Sequence, residues 1–140
     1  MSIVIQAISA KDTLPLRHKI LWPDYPIESS IVDGDETALH FGGFLDENLI
    51  CVASLFRDGS AVRLRKFATD VNVQGQGFGS AMLQHLLEIA LKSGAKVFWF
   101  DAREAALPFY ERYGFTKEGG RFFKGDIPYF RMSQRLELVS

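Results

Sequence analysis

Along the chain the spacing of apolar positions changes several times, and each change predicts an element. SIVIQAI, residues 2–8, combines β-branched residues with partial alternation, the pattern of a first strand. KDTLPLRHKILW, residues 11–22, spaces Leu16, Ile20 and Leu21 as the inward face of a helix, and the two prolines of PDYPIESS then break it. IVDGDETA is polar and turn-like. From Leu39 to Val71, three apolar runs are separated by DEN and RDGS, which predicts an antiparallel meander joined by tight turns. After a cluster of glycines, Leu83, Leu86, Leu87, Ala90 and Leu91 recur at helical spacing, and KSG closes that helix with Gly94 at its C-cap. KVFWF is a short apolar run bounded by polar residues, expected as a buried strand parallel to the strand before the glycines. EAALPFYERYG predicts a short helix with Pro108 in its first turn and Gly114 as its stop. TKEGGRFFKGDIPYFRMSQRLEL predicts a closing β-hairpin. The expected order is β, α, β-meander, α, β, α, β-hairpin. This is a mixed α/β (α+β) fold, mostly antiparallel, with one β-α-β unit in its second half.

No repeat, linker or low-complexity tract divides the sequence, so residues 1–140 are expected to form one domain. A chain of that length buries roughly two-thirds of the surface it exposes when unfolded. Apolar residues at 47% and charged residues at 24% are globular values and argue against disorder. A net charge of −1 supplies no field for nucleic acid or a membrane surface, so neither is expected as a partner. MSIVIQAISA is too short and uncharged for a signal peptide, and no run reaches the ~18 apolar residues of a membrane span, so a cytoplasmic location is expected. Cys51 is the single cysteine, which excludes an internal disulfide and a Cys-based metal cluster. Inside LICVASLF it reads as a small buried hydrophobe rather than a nucleophile. His18, His40 and His85 share no ligand spacing, and no metal is expected.

VNVQGQGFGSAML carries the chemistry. Gly75, Gly77 and Gly79 crowd the start of a helix, although a glycine inside a helix costs about 1 kcal/mol against alanine. A strand leading into such a loop offers free backbone N–H groups at the positive end of a helix dipole, and glycine lets an anion approach them. A tight turn or close helix–strand packing is the alternative explanation. GFGSAM has no lysine, which excludes a Walker loop. A dinucleotide fingerprint is a closer rival, with Gly75, Gly77 and Ser80 in its glycine positions and Asp101 as the ribose acid. That fold normally begins on its fingerprint strand, however, whereas here a meander precedes the loop.

QGQGFG supplies Gln74, Gly77 and Gly79 in the pattern Arg/Gln-x-x-Gly-x-Gly/Ala, and ALPFYERYGF follows with Phe-Tyr on a helix closing on Gly-Phe. Together, and in that order, the two elements resemble the GNAT N-acetyltransferase family over the stretch from Leu64 to Phe115. DAREAA and IPYFRM add a resemblance to its small, single-domain ElaA-like branch. The implied fold is the GNAT acyl-CoA N-acyltransferase fold, a central, mostly antiparallel mixed sheet flanked by helices. The implied activity is direct transfer of an acetyl group from acetyl-CoA to a primary amine, on a small molecule or an exposed amino group of a peptide. A non-catalytic acyl-CoA-binding module and a dinucleotide-binding oxidoreductase are the alternatives, and a homodimer is left open.

The resemblance implies that Gln74, Gly75, Gln76, Gly77, Phe78, Gly79 and Ser80 hold the pyrophosphate of coenzyme A. Main-chain groups of Phe67, Ala68 and Thr69 pair with the pantetheine arm, and one of these amides polarises the thioester carbonyl. Tyr110 is the implied general acid toward the CoA thiolate, with a packed core tyrosine as the alternative. Phe109 is grouped with the cofactor residues, packing being its other reading. Arg103 meets CoA or substrate, or else pairs with Asp101 or Glu104. The strand VRLRKFATD lacks the glutamate that many relatives use as a base. Asp70, Glu28, Asp101, a water chain, and an amine that sheds its proton in solution before binding therefore stand as alternatives. Arg65, expected to share a strand face with Arg63 and Phe67, suits an acidic substrate or the CoA phosphates, with a solvated sheet edge as the alternative. Trp22 and Tyr25 in LWPDYP, together with Tyr129, are the remaining candidate acceptor contacts.

Overall fold

The computed structural model describes residues 3–137 of the chain. Seven strands and three helices follow in the order β1 (Val4–Ala7), α1 (Ala10–Leu16), β2 (Leu39–Leu45), β3 (Asn48–Asp58), β4 (Ala61–Thr69), α2 (Phe78–Lys92), β5 (Val97–Arg103), α3 (Leu107–Glu111), β6 (Thr116–Lys124) and β7 (Ile127–Arg135). The strands form one sheet in the order β1-β2-β3-β4-β5-β7-β6. The chain resolves into two compact units, Met1–Phe56 with Leu64–Ile89, and Arg57–Arg63 with Ala90–Ser140.

In the first unit, α1 starts where Ser9 accepts a hydrogen bond from the amide of Asp12 at 3.2 Å, an N-cap that satisfies one orphan donor. The helix is shorter than its apolar spacing predicts. Pro15 lies inside it, and the chain passes directly into a π-turn over Arg17–Leu21. Leu16 still turns inward, onto Val52 and Ala68, with Ile20 and Leu21 packed beside it. β2 pairs antiparallel with β1 and β3. The DEN turn between β2 and β3 puts both Asp46 and Glu47 at positive φ, 50° and 69°, the geometry that matches the strands' own twist. α2 buries Met82, Leu83 and Leu86 completely, while Leu87 is half-buried.

In the second unit, β4 begins parallel to β5, Ala61 opposite Val97 and Arg63 opposite Trp99. α2 ends there in a Schellman arrangement: the Gly94 amide bonds the Leu91 carbonyl, the Ala95 amide bonds the Ala90 carbonyl, and Gly94 takes φ +82°. β5 runs on to Arg103, past the end of its apolar run, so Asp101 lies within the strand rather than at its end. It alternates, with Phe98, Phe100 and Ala102 buried and Val97, Trp99, Asp101 and Arg103 half-buried, and so it is not the uniformly buried strand that KVFWF suggests. β7 pairs antiparallel with both β5 and β6. Phe98, Phe100, Phe115 and Met132 form the unit's centre, each 2% exposed or less.

Candidate active site

The glycine loop belongs to the first unit. Only Gly79 lies within α2; Gly75 and Gly77 precede it with φ of +79° and +86°, backbone that L side chains rarely adopt. A Cβ added at either would meet no atom within 4 Å, so close packing inside the protein does not account for these glycines. The helix ladder starts with the Ala81 amide on the Gly77 carbonyl at 3.1 Å. The amides of Phe78, Gly79 and Ser80 precede that bond and form the positive end of α2. The Phe78 side chain is 5% exposed and anchors the turn in the core. Gln74 braces the loop from behind, its side-chain amide donating to the Thr69 carbonyl at 2.9 Å. An open cradle of glycine backbone at a helix start fits a diphosphate.

Behind this loop, β4 departs from simple alternation. Lys66 has φ +56°, a costly conformation for a side-chain-bearing residue inside a strand and one that recurs at functional sites. The Arg65 guanidinium lies 5.8 Å from the Phe56 ring, and the Lys66 ammonium 5.9 Å above Trp22. Trp22 in turn meets Tyr25 edge-on at 5.5 Å, so these two acceptor candidates come together. Tyr25 is 55% exposed. Phe67 and Thr69 are half-buried and Ala68 is buried, and the Thr69 hydroxyl contacts the Cys51 sulfur at 3.4 Å. Burial pushes the Cys51 thiol up to about 11, which keeps it protonated and unreactive, as its apolar setting suggests.

The first unit also holds a network that its sequence does not announce. Arg17, 0% exposed, makes a bidentate pair with Asp35, Nη1 to Oδ2 at 2.8 Å and Nη2 to Oδ1 at 3.0 Å. Burial alone would raise the Asp35 carboxyl. The Arg17 hydrogen bond, the Val32 amide and the Arg17 charge outweigh it, so Asp35 titrates below its ordinary 3.8. A depressed carboxyl contributes stability that is complete above the unfolded value and is lost as pH falls through the lower folded value. Wild type should therefore lose denaturant resistance more steeply than Asp35→Asn between about pH 5 and pH 3. Parallel pH curves for the two proteins would show that Asp35 carries no such linkage.

The carboxylates considered as bases are differently occupied. Asp70 accepts from the Asn72 amide at 3.0 Å and faces Lys19 at 3.4 Å, and that amide together with Lys19 holds its carboxyl below the ordinary range. In the second unit Asp101 sits among Arg63 at 3.1 Å, Arg131 at 3.2 Å and Lys124 at 3.7 Å. Asp70 is thereby braced as an anion and poorly suited to accept a proton, and Asp101 is already engaged by three cationic side chains. Glu28 lies exposed in a 3₁₀ turn, Ile27–Ser30.

Tyr110 stands on α3 of the second unit, half-buried, its ring 4.4 Å from Phe100, 5.0 Å from Phe109 and 6.3 Å from Phe115. Phe109 also meets Tyr113 at 5.4 Å, with the Arg112 guanidinium 5.6 Å away. Arg103 ends β5 opposite Tyr129 on β7, and joins neither the Asp101 cluster nor the Glu104–Arg121 pair. Tyr129 is 6% exposed, stacked on Phe122 at 5.9 Å with Lys124 4.6 Å above it, so little of its ring is accessible. Among the described residues, no three His, Cys, Asp or Glu side chains group as a metal set, and no helix is long and apolar enough to cross a membrane.

The strand order and the glycine-opened helix define an acyltransferase fold, and the comparisons with known proteins agree. The family described as Acetyltransferase (GNAT) domain matches residues 22–136. The N-acetyltransferase YitI of Bacillus subtilis (strain 168) is 34% identical over 133 residues, covering 89% of this chain and 87% of that protein. Escherichia coli ElaA superposes with a TM-score of 0.82 at 18% identity, over 95% of this chain and 99% of that one. An acetyltransferase of Bacillus subtilis solved in complex with CoA gives 0.76 at 18% identity, over 99% and 100%. The chain belongs to the GNAT acetyltransferase family and is an acyltransferase. The resemblance carried by QGQGFG and PFYERYGF holds. The dinucleotide-dependent oxidoreductase reading falls.

Proposed function

We propose that residues 1–140 form one cytoplasmic N-acetyltransferase domain that moves the acetyl group of acetyl-CoA directly to a primary amine of a small molecule or an exposed amino group. The observation that carries this is the cradle at Gly75 and Gly77, left-handed and open where a Cβ would stand, at the head of α2. The amides from Gln74 through Ser80 bind the diphosphate, helped by the α2 dipole. Main-chain groups at Phe67, Ala68 and Thr69 align the arm, and one of these amides polarises the reacting carbonyl. Acetyl-CoA, when bound, supplies the activated acetyl thioester. Tyr110 gives its phenolic proton to the leaving sulfur, Trp22 and Tyr25 contact the acceptor, and Arg65 and Arg103 favour anionic groups on either ligand. With Asp70 engaged by the Asn72 amide and Lys19, and Asp101 by Arg63, Arg131 and Lys124, the amine loses its proton to water or to Glu28. The lone buried thiol of Cys51 suits a reducing compartment.

Thermal shift tests the donor. Acetyl-CoA and CoA at 100-fold excess over Kd should stabilise the fold by about 2.7 kcal/mol, a rise of several degrees, and NAD should do nothing. Thiol release with an N-terminal-alanine peptide, a lysyl peptide and an amino sugar phosphate then tests the acceptor. A shift with NAD alone, or none at all, would overturn the cradle's assignment. CoA binding with no thiol release from any amine would leave a binding module instead.

A further inference from the structure

Within the first unit, the stretch from Arg17 to Asp35 begins and ends at two residues bound to each other. Around the bidentate pair, Arg17 Nη1 donates to the Ser30 carbonyl at 3.0 Å, and Nη2 to the Ser54 hydroxyl on β3 at 2.9 Å. Asp35 Oδ2 accepts from the Val32 amide at 2.9 Å. His40 on β2 closes the ring, Nδ1 to Ser54 Oγ at 2.7 Å and Nε2 to the Asp35 carbonyl at 2.8 Å. These bonds fit one tautomer: Ser54 accepts from Arg17 and donates to Nδ1, while Nε2–H donates to the carbonyl. Thr13, Arg17, Ser30 and Ser54 are all 0% exposed.

The outer part of the same stretch is held lightly. Tyr25, Ile27 and Ile31 are 55%, 40% and 58% exposed. Lys19, its side chain 55% exposed, reaches Asp70 at 3.4 Å, and Lys66 lies 5.9 Å above Trp22. Exposed pairs of this kind fix a chain weakly. The stretch thus has a firm base and a more thinly held outer part that carries Trp22 and Tyr25, where His18 Nε2 meets the Tyr25 carbonyl at 2.8 Å. A buried ion pair contributes little net stability over an apolar replacement, but its planar fork admits one geometry. Through Ser30 and Val32 on one limb and Arg17 on the other, both limbs take their position from the same pair.

We propose that Arg17 and Asp35, with Ser54 and His40, are positioning residues that set where Trp22 and Tyr25 stand and thereby tune affinity for the acceptor amine, a proposal that rests on the acceptor role given above to those two aromatics. None of the four touches the acceptor or the acetyl donor. Their loss moves the KM for acceptor and spares the donor.

Ser54→Ala removes one acceptor of Arg17 and the His40 partner without stranding a charge, and it is compared with wild type and Asp35→Asn. Amide exchange is followed over residues 18–34 and, as a control, over β5 and β7. Kinetics use whichever of the three amine probes wild type acetylates best. Ser54→Ala should quicken exchange in 18–34 about tenfold, with β5 and β7 unchanged. Its acceptor KM should rise about tenfold, with kcat and the acetyl-CoA KM within about twofold. Asp35→Asn, if it folds, should do more of the same; if it does not, Ser54→Ala decides. Unchanged exchange, an unchanged acceptor KM in a loosened variant, or an equal rise in the acetyl-CoA KM overturns the proposal. If wild type acetylates none of the probes, the acceptor assignment fails and exchange alone decides the clamp: quickening confined to 18–34 supports it, and no change overturns it.

Discussion

Gly77→Val should fold and yet bind acetyl-CoA on the order of 10- to 100-fold more weakly. At φ +86° a β-branched residue is strained by about 1–3 kcal/mol, so its melting temperature falls by several degrees. The surroundings accommodate the side chain, because no atom lies within 4 Å of the added Cβ. The open space it fills is where the donor's diphosphate is proposed to lie. One charge-assisted hydrogen bond is worth about 1.5–3 kcal/mol, so losing even one gives an affinity change of that order. Gly59→Val separates strain from binding. Gly59 also has positive φ, +60°, with no atom within 4 Å of an added Cβ, but it sits in the turn between β3 and β4. It should lose similar stability and keep wild-type affinity. Isothermal titration of both variants with acetyl-CoA gives the comparison, and equal affinities would take the diphosphate out of the loop.

Tyr110→Phe should lower kcat about 100-fold, at the low end of what a positioned general acid contributes, and leave the Kd for acetyl-CoA within about twofold. The substituted ring keeps its aromatic neighbours, Phe100 at 4.4 Å and Phe109 at 5.0 Å, so the variant should fold. Phenol and thiol have ordinary pKa values of roughly 10 and 8.5, so the proton transfer is nearly balanced and depends on the leaving thiol. An acetyl thioester of a more acidic thiol needs that proton less, and with it the deficit should shrink. A variant with full turnover on acetyl-CoA would reduce Tyr110 to a packing residue of the aromatic cluster.

What the sequence disclosed was whatever local patterning encodes. DEN and the turn at Gly59 announced the meander, and Leu83 and Leu86 the inner face of α2, because strand turns and helix faces are set within a few residues. The glycine loop was legible as a break between strand and helix, though its glycines divide differently: two serve backbone conformation before the helix, and one lies inside it. β5 misled because Trp99 is apolar yet faces the half-covered side, where the guanidiniums of Arg63 and Arg131 lie 4.5 Å and 4.1 Å from its ring. The Arg17–Asp35 clamp joins residues 18 apart across an irregular segment, and no periodicity reports such a pairing. The left-handed backbone at Lys66 had no sign at all, since nothing in VRLRKFATD distinguishes that residue from its neighbours.

β6 ends the sheet, and its outer row of backbone groups is a template on which another extended chain could grow. The register spoils that template. Between Glu118, opposite Arg131, and Phe122, opposite Tyr129, the residues Gly119, Gly120 and Arg121 stand against Phe130 alone. Gly119 turns to φ +73° there, and Lys117, Arg121 and Lys124 place charge along the strand. A broken, cationic edge resists stacking into fibrils despite the exposed Phe123. The same irregular backbone that costs β6 some regular pairing therefore disfavours edge-to-edge strand addition on β6.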